Sequence, residues 1–219
     1  MSADRSLTHS AARVVEALVA MLGEMDVHDV RVGDLAQRAG VAIPTVYYQF
    51  KSLDDVIAEA TVVLLHRFLE PFCEFRSDMQ RAVANDDHVQ FEVAAGGFMQ
   101  HSWSAESNER IHRLAPLIAY FREIAPEDVR LRSVQAREIA AQISVLSAAR
   151  DQGWIEAHED VTAFIIVHWT CVLGQAVFFH PSFGPLTDIE FSHGVARLRY
   201  QTSLRADIGQ MSLRNSDTA

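Results

Sequence analysis

The sequence predicts an all-α protein of about nine helices joined by short connections. Three observations carry that expectation. Apolar residues recur at three- and four-residue spacing along most of the 219 residues, strand-like alternation is nearly absent, and helix start and stop signals fall between the periodic segments. The composition agrees: hydrophobic residues make up 49% and charged residues 22%, which suits a globular chain able to bury a core and disfavours disordered, collagenous or coiled-coil classes.

In the first helix Ala11, Val14, Val15, Leu18 and Leu22 share one face, with Ser6 or Thr8 as N-cap and an end near Gly23. A short helix follows from Val32 to Ala39, then the turn Gly40-Val41-Ala42, then a second short helix from Ile43 to Gln49. Pro44 falls in the first turn of that helix, where its missing N–H costs nothing. Ser52 opens the next helix with Asp54 and Asp55 suited to its dipole, and Val56, Ala60, Val63, Leu64 and Phe68 run toward Pro71.

Asn85-Asp86-Asp87 reads as a loop. Four further helices are expected at roughly 88–103, 106–123 with a kink at Pro116, 126–151 opened by Pro126-Glu127-Asp128, and 159–180. A last helix begins with the capping box Thr187-Asp188-Ile189-Glu190 and runs to Ile208, leaving a polar tail from Gly209 that should fray.

Charge narrows the function classes. With 19 Lys and Arg against 29 Asp and Glu the net charge is −10, which argues against coating nucleic acid or anionic membrane by bulk charge but leaves room for a small local site. Lys51 is the sole lysine. Cys73 and Cys171 lie far apart with no metal-ligand spacing around them, so buried free thiols in a reducing compartment are favoured over a disulfide. The N-terminus carries no apolar run after its charges, which predicts a cytoplasmic chain.

Residues 161–179 hold no Asp, Glu, Lys or Arg and reach the length of a membrane span. Their flanks argue otherwise, because Glu159 and Asp160 precede them and no basic residue follows until Arg197. His168, Thr170 and Gln175 interrupt the stretch as well, so a helix buried in a protein or an oligomer is the preferred reading and no membrane partner is expected.

The informative stretch is Arg31 to Phe50. Two short helices meet at Gly40, which can take the left-handed conformation that the chain reversal needs. Leu35, Ala36, Ala39, Val41, Val46 and Phe50 are spaced to pack the pair, leaving Thr45, Tyr47, Tyr48 and Gln49 facing outward. By residue pattern alone a helical hairpin that only packs accounts for this as well as a binding surface does. Ala39-Gly40-Val41, Thr45-Val46-Tyr47-Tyr48 and Phe50-Lys51-Ser52, however, together resemble the DNA-binding domain of TetR-type transcriptional regulators.

The resemblance covers residues 6–66, with the helix-turn-helix at about 31–50, and implies that 67–219 form an effector-binding and dimerisation domain, where only helix count and length agree. Carried over by position, residues 43–49 become a recognition helix for the major groove, with Pro44, Thr45, Tyr47, Tyr48 and Gln49 near bases and phosphates and Lys51 on a phosphate. This chain departs from the family at Arg31, Ala42 and Leu53, where Thr or Ser, Ser, and Lys are usual, so two caps and one phosphate-binding charge are missing. Within residues 1–57 five basic residues face eight acidic ones, a net −3, and the recognition helix holds no cation. Modest, strongly salt-dependent DNA affinity is expected unless Arg5, Arg31, Arg38 and Lys51 all face phosphates.

In the larger part Phe98, Met99, Trp103, Tyr120, Phe164, His168 and Trp169 could line an apolar effector cavity, although each also fits plain core. Gly96-Gly97 inside a helix marks a kink or a close approach. The resemblance implies that the last two helices form a four-helix bundle with a second copy, through Gly174, Phe178, Phe191, Val195, Leu198 and Thr202.

Ten histidines include no pair at His-x3-His spacing, and His101, His112 and His168 would have to converge from separate helices, so no metal and no cofactor is expected. No nucleophile or phosphate-binding motif occurs, so no catalytic residue is assigned. The reading is a homodimeric repressor that leaves a palindromic double-stranded operator when a small apolar or amphipathic effector binds. Its rivals are a ligand-binding relative with weakened or lost DNA binding, and an all-α hydrolase using a buried histidine.

Overall fold

The computed structural model describes residues 7–178, and of residues 175–178 the backbone alone. Among them are eight α-helices, one 3-10 turn at Val27–Asp29 and no strand: α1 His9–Leu22, α2 Val32–Ala39, α3 Ile43–Gln49, α4 Leu53–Ala84, α5 His88–Ser102, α6 Ala105–Ile124, α7 Arg130–Asp151 and α8 Val161–Phe178. The expected last helix, with its capping box and with Phe191, Val195, Leu198 and Thr202, lies outside the described residues.

Side chains close most helix starts, at Thr8 and Ser52 as the sequence suggests. Thr8, Ser52, Asp87 and Ser104 accept backbone N–H groups of the first turns of α1, α4, α5 and α6, and Asp160 accepts those of Thr162 and Ala163 in α8. Arg31 and Ala42 provide no side-chain cap to α2 and α3. Asp86 makes the reversal between α4 and α5 in the left-handed region, at φ 55°, which an Asp tolerates better than most residues.

Two helices differ from expectation. The apolar run toward Pro71 does not end there, because α4 continues through Pro71 for 32 residues. An interior proline costs roughly 3 kcal/mol. Phe68, Leu69 and Phe72 flank it and are buried, each contributing about 1.5–3 kcal/mol, so packing outweighs the lost hydrogen bond.

The helix expected from Pro126 begins at Arg130 instead. The Asp128 carboxylate, expected as a first-turn charge, accepts the Arg130 backbone N–H at 2.9 Å and the Arg130 guanidinium as well, closing a turn ahead of the helix. Nη1 of Arg130 also reaches Glu59 on α4 at 2.5 Å. α6 runs through Pro116 as one helix, Ala105–Ile124.

The buried residues form two cores. The smaller gathers Val14, Leu18, Leu35, Ala39, Val46, Phe50 and Ile57 from α1–α4, together with Leu117 of α6. The larger centres on Phe72, whose ring meets Phe68, Phe98, His101 and Trp169 at centroid distances of 5.0–5.4 Å. α4 supplies residues to both cores, and Leu117 carries α6 into the smaller one. Arg67 of α4 pairs with Glu16 of α1 at 2.6 Å across the same junction.

Candidate functional site

Local sequence sets the geometry of the helix-turn-helix. Gly40 ends α2 in the left-handed region at φ 63°, and the N–H of Val41 donates to Ala36 while that of Gly40 donates to Gln37, satisfying carbonyls the helix end would leave open. From α1, Nη2 of Arg13 donates to the carbonyls of Ala39 and Gly40 at 2.6 and 3.2 Å, tying the turn down. A Cβ on Gly40 would stand 2.6 Å from that same nitrogen.

α3 is pinned by Val46 and Phe50, both buried, and turns its other side outward. Tyr48 is 86% exposed and Tyr47 49%, and Pro44 and Lys51 are exposed too. Thr45 and Gln49 are half-buried, and Gln49 Oε1 accepts the Thr8 hydroxyl at 2.9 Å, so its amide is already oriented by the residue that caps α1.

The cations are less available than their number suggests. Arg31 donates to the carbonyls of His28 and Val30, Arg13 holds the turn, and Arg38 makes a two-point ion pair with Glu24. Lys51 makes no ion pair among the described residues. Arg5 lies outside them.

In the larger domain a cavity of about 190 Å³ opens between α4, α5, α7 and the start of α8. Phe98, Met99 and Phe164 line it, as the sequence suggests. Trp103, His168 and Trp169 do not line it; they are buried behind it, with the His168 ring 5.3 Å from that of Phe98. Tyr120 stands elsewhere, at the junction of the domains, where its hydroxyl donates to Asp54 at 3.0 Å and its ring meets His28 edge-on at 5.1 Å. An amphipathic side chain on α6 suits that junction better than a cavity wall.

The wall residues that sequence reasoning passes over include Met79, Phe91, Gln142, Leu146, Ile155 and Glu159. Gln142 is the visible signal, a polar residue on the apolar stripe of α7. Its Nε2 donates to Glu138 at 2.9 Å and its Oε1 accepts the Trp169 indole N–H at 2.8 Å. Glu138 in turn pairs with Arg76 and accepts the Cys73 thiol. Burial and the neighbouring Glu138 push that thiol above its ordinary pKa, so Cys73 is a protonated donor. Cys73 and Cys171 are both free.

Ser102 and His168 meet at 3.1 Å, a contact that would suit hydrolytic chemistry. The Ser102 hydroxyl, however, donates to the Phe98 carbonyl at 2.7 Å, so its proton points away from the imidazole and the pair supports packing. Burial lowers the pKa of His101, keeping it a neutral ring against Phe72. Among the described residues no group of three or more His, Cys, Asp or Glu is placed to hold a metal ion, and no helix is long and apolar enough to cross a membrane.

Gly97 approaches Phe75 so closely that an added Cβ would lie 2.6 Å from the ring, whereas Gly96 faces open space. Gly97 therefore lets the Phe75 ring of α4 approach closely. α8 buries Val161, Ile165, Trp169 and Val172 and exposes Ile166, Val167 and Leu173 on its other face. Gly174 is half-buried, and the side chain of Phe178 lies outside the described residues.

A second concavity of about 400 Å³ lies between α1, α4 and α6, beside Arg67, Arg110 and Arg113. Each of these guanidiniums is already paired with Glu16, Glu106 or Glu109 respectively.

Residues 14–60 match the sequence model of the bacterial regulatory proteins of the tetR family. No curated protein matches the chain. Among solved structures, the fatty acid degradation regulator FadR from Bacillus halodurans superposes with a TM-score of 0.60 at 18% identity, over 87% of this chain and 94% of that one. The TetR family transcriptional regulator PfmR from Thermus thermophilus gives 0.52 at 19% identity, over 85% and 96%. The ketosteroid transcriptional regulator KstR2 of Mycobacterium tuberculosis gives 0.50 at 18%, over 86% and 91%. At these identities the likeness is one of fold, and it extends over both domains.

Proposed function

From the premise that this chain belongs to the tetR family of bacterial regulatory proteins, its signature lying in residues 14–60, we propose that it is a homodimeric transcriptional repressor. It binds a palindromic operator through α3 and leaves it when a small apolar or amphipathic effector enters the cavity beside Phe98. It works in the cytoplasm, where bacterial DNA lies, and acts by binding without turnover.

The observation that carries the reading is the pair Tyr47 and Tyr48, held out to solvent on a helix that Val46 and Phe50 fix from behind. Exposed aromatic side chains gain little in water, but they supply contact area and hydroxyls against a groove wall. Pro44 and Lys51 extend the same surface at either end of α3. A two-fold dimer would set two such helices about 34–36 Å apart, one turn of DNA.

For release, the effector must bind one arrangement of the dimer better than the other, and the shift is limited by that difference. Met79 of α4 lines the cavity and Val56 and Ile57 of the same helix lie in the DNA-side core, so the two sites share one element. The test is a gel-shift titration of a palindromic site from the flanking intergenic DNA at low salt. Wild type should shift it, and Tyr47→Ala should weaken the shift about tenfold or more without lowering the melting temperature. An equal shift by both proteins would refute the assignment of α3.

A second reading is favoured by the Glu24–Arg38 pair and the net −3 of residues 1–57: a family member whose DNA binding is weakened or lost. It predicts a sound, effector-binding protein with no shift at any salt.

A further inference from the structure

We propose that the cavity selects a small apolar amine in its protonated form and rejects apolar carboxylates. The inference rests on the reading of this cavity as the effector site and concerns the charge of what enters it.

Two lining residues carry polar side-chain groups, Gln142 and Glu159, and the rest are apolar. Gln142 is fixed in orientation: one of its two N–H groups goes to Glu138, and its oxygen accepts the Trp169 indole N–H. Turning the amide over to meet a ligand would bring its oxygen against the Glu138 carboxylate and its NH2 against an indole N–H, breaking both bonds in a buried setting.

Glu159 is the reverse case. The capping of α8 that a carboxylate there could provide is already done by Asp160, which accepts the N–H groups of Thr162 and Ala163. Arg150 is the neighbouring cation, and its Nη1 donates to the backbone carbonyl of Glu159 at 3.4 Å, not to the carboxylate. Among the described residues the Glu159 carboxylate has no ion-pair partner within 4.0 Å, and the residue is half-buried and lines the cavity together with Phe91, Ile155 and Phe164.

An unpaired carboxylate beside apolar surface favours an occupant with a cationic donor and opposes an anion through like-charge repulsion at reduced dielectric. Among the lining residues there is no cation to receive a ligand carboxylate or phosphate. The volume, about 190 Å³, falls below the roughly 300–1,000 Å³ of drug-sized sites, so the apolar body is small.

Three ring compounds of one size separate the possibilities: cyclohexylmethylamine, cyclohexylmethanol and cyclohexanecarboxylate. Each is titrated into the full-length protein and into Glu159→Gln, read by tryptophan fluorescence and by the shift in melting temperature. The amine should bind wild type at least about tenfold more tightly than the carboxylate. Glu159→Gln should remove the amine's advantage while the alcohol binds both proteins alike, which also shows that the variant is folded. Tighter binding of the carboxylate, or an amine preference that survives Glu159→Gln, overturns the proposal while leaving the cavity reading intact. Binding by none of the three overturns the cavity reading and the proposal with it.

Discussion

Glu24 grips Arg38 at two points, Oε2 on Nη1 at 2.6 Å and Oε1 on Nη2 at 2.5 Å. The Arg38 hydrogen bonds, with its charge, hold the Glu24 carboxyl below the usual carboxylate range. One of the few guanidiniums of the DNA-side domain is therefore committed to an acid. Replacing Glu24→Gln removes that competitor and one negative charge. Operator affinity should rise a few-fold at low salt, and the slope of log affinity against log salt should steepen by about one phosphate contact. An unchanged slope would show that Arg38 does not reach the backbone.

The glycine pair of α5 gives a prediction of opposite signs at adjacent positions. Gly96→Ala adds a methyl in open space and should stabilise the protein by about 0.5–1 kcal/mol through helix propensity. Gly97→Ala drives a methyl into the Phe75 ring, and should cost about 1–3 kcal/mol as α4 and α5 are forced apart. Urea denaturation of the two variants beside wild type decides it, and equal effects would contradict the packing described.

Tyr120 links α6 to the first turn of α4 through Asp54. Tyr120→Phe keeps the ring against His28 and loses only that bond, so stability should fall by less than about 1.5 kcal/mol. The effector concentration for half-release of DNA should move measurably if the junction carries the signal. A variant with unchanged release would place the signal in α4 alone.

Asp128 supplies a pH dependence. Burial by itself would raise its carboxyl, but the Arg130 side chain and backbone N–H both donate to it, and with the Arg130 charge they bring it below its ordinary value. A depressed carboxyl contributes stability above its unfolded pKa and loses it as pH falls through the folded one. Asp128→Asn should therefore cost about 1 kcal/mol near pH 7, and the gap from wild type should close below about pH 4. A gap independent of pH would mean that the ion pair contributes nothing.

The helix-turn-helix is legible in the sequence because its determinants are local. Gly40, Pro44, Val46 and Phe50 lie within eleven residues, and each acts through its own backbone or its nearest turn. The start of α7 misleads for a related reason: Pro126-Glu127-Asp128 has the right local chemistry, yet Asp128 is claimed by Arg130, which is itself drawn to Glu59, 71 residues earlier. Continuation through Pro71 likewise depends on buried rings contributed by other helices. Phe98, Met99 and Phe164 are legible as cavity wall because they are large and apolar, whereas Trp103 and Trp169 are as large and, with the polar ring of His168, pack behind it. Glu159 reads locally as a helix-start charge, since only the folded chain shows Asp160 performing that task.

The length of α4 has a mechanical consequence. Its 32 residues form a rod about 48 Å long at 1.5 Å per residue. A tilt of about 5° pivoting at the cavity end would carry the far end sideways by about 4 Å, more than the roughly 3.4 Å separating stacked base pairs. On the proposed reading of α3 as the groove-reading helix, a small tilt of α4 is thus amplified at its far end enough to put α3 out of step with the DNA.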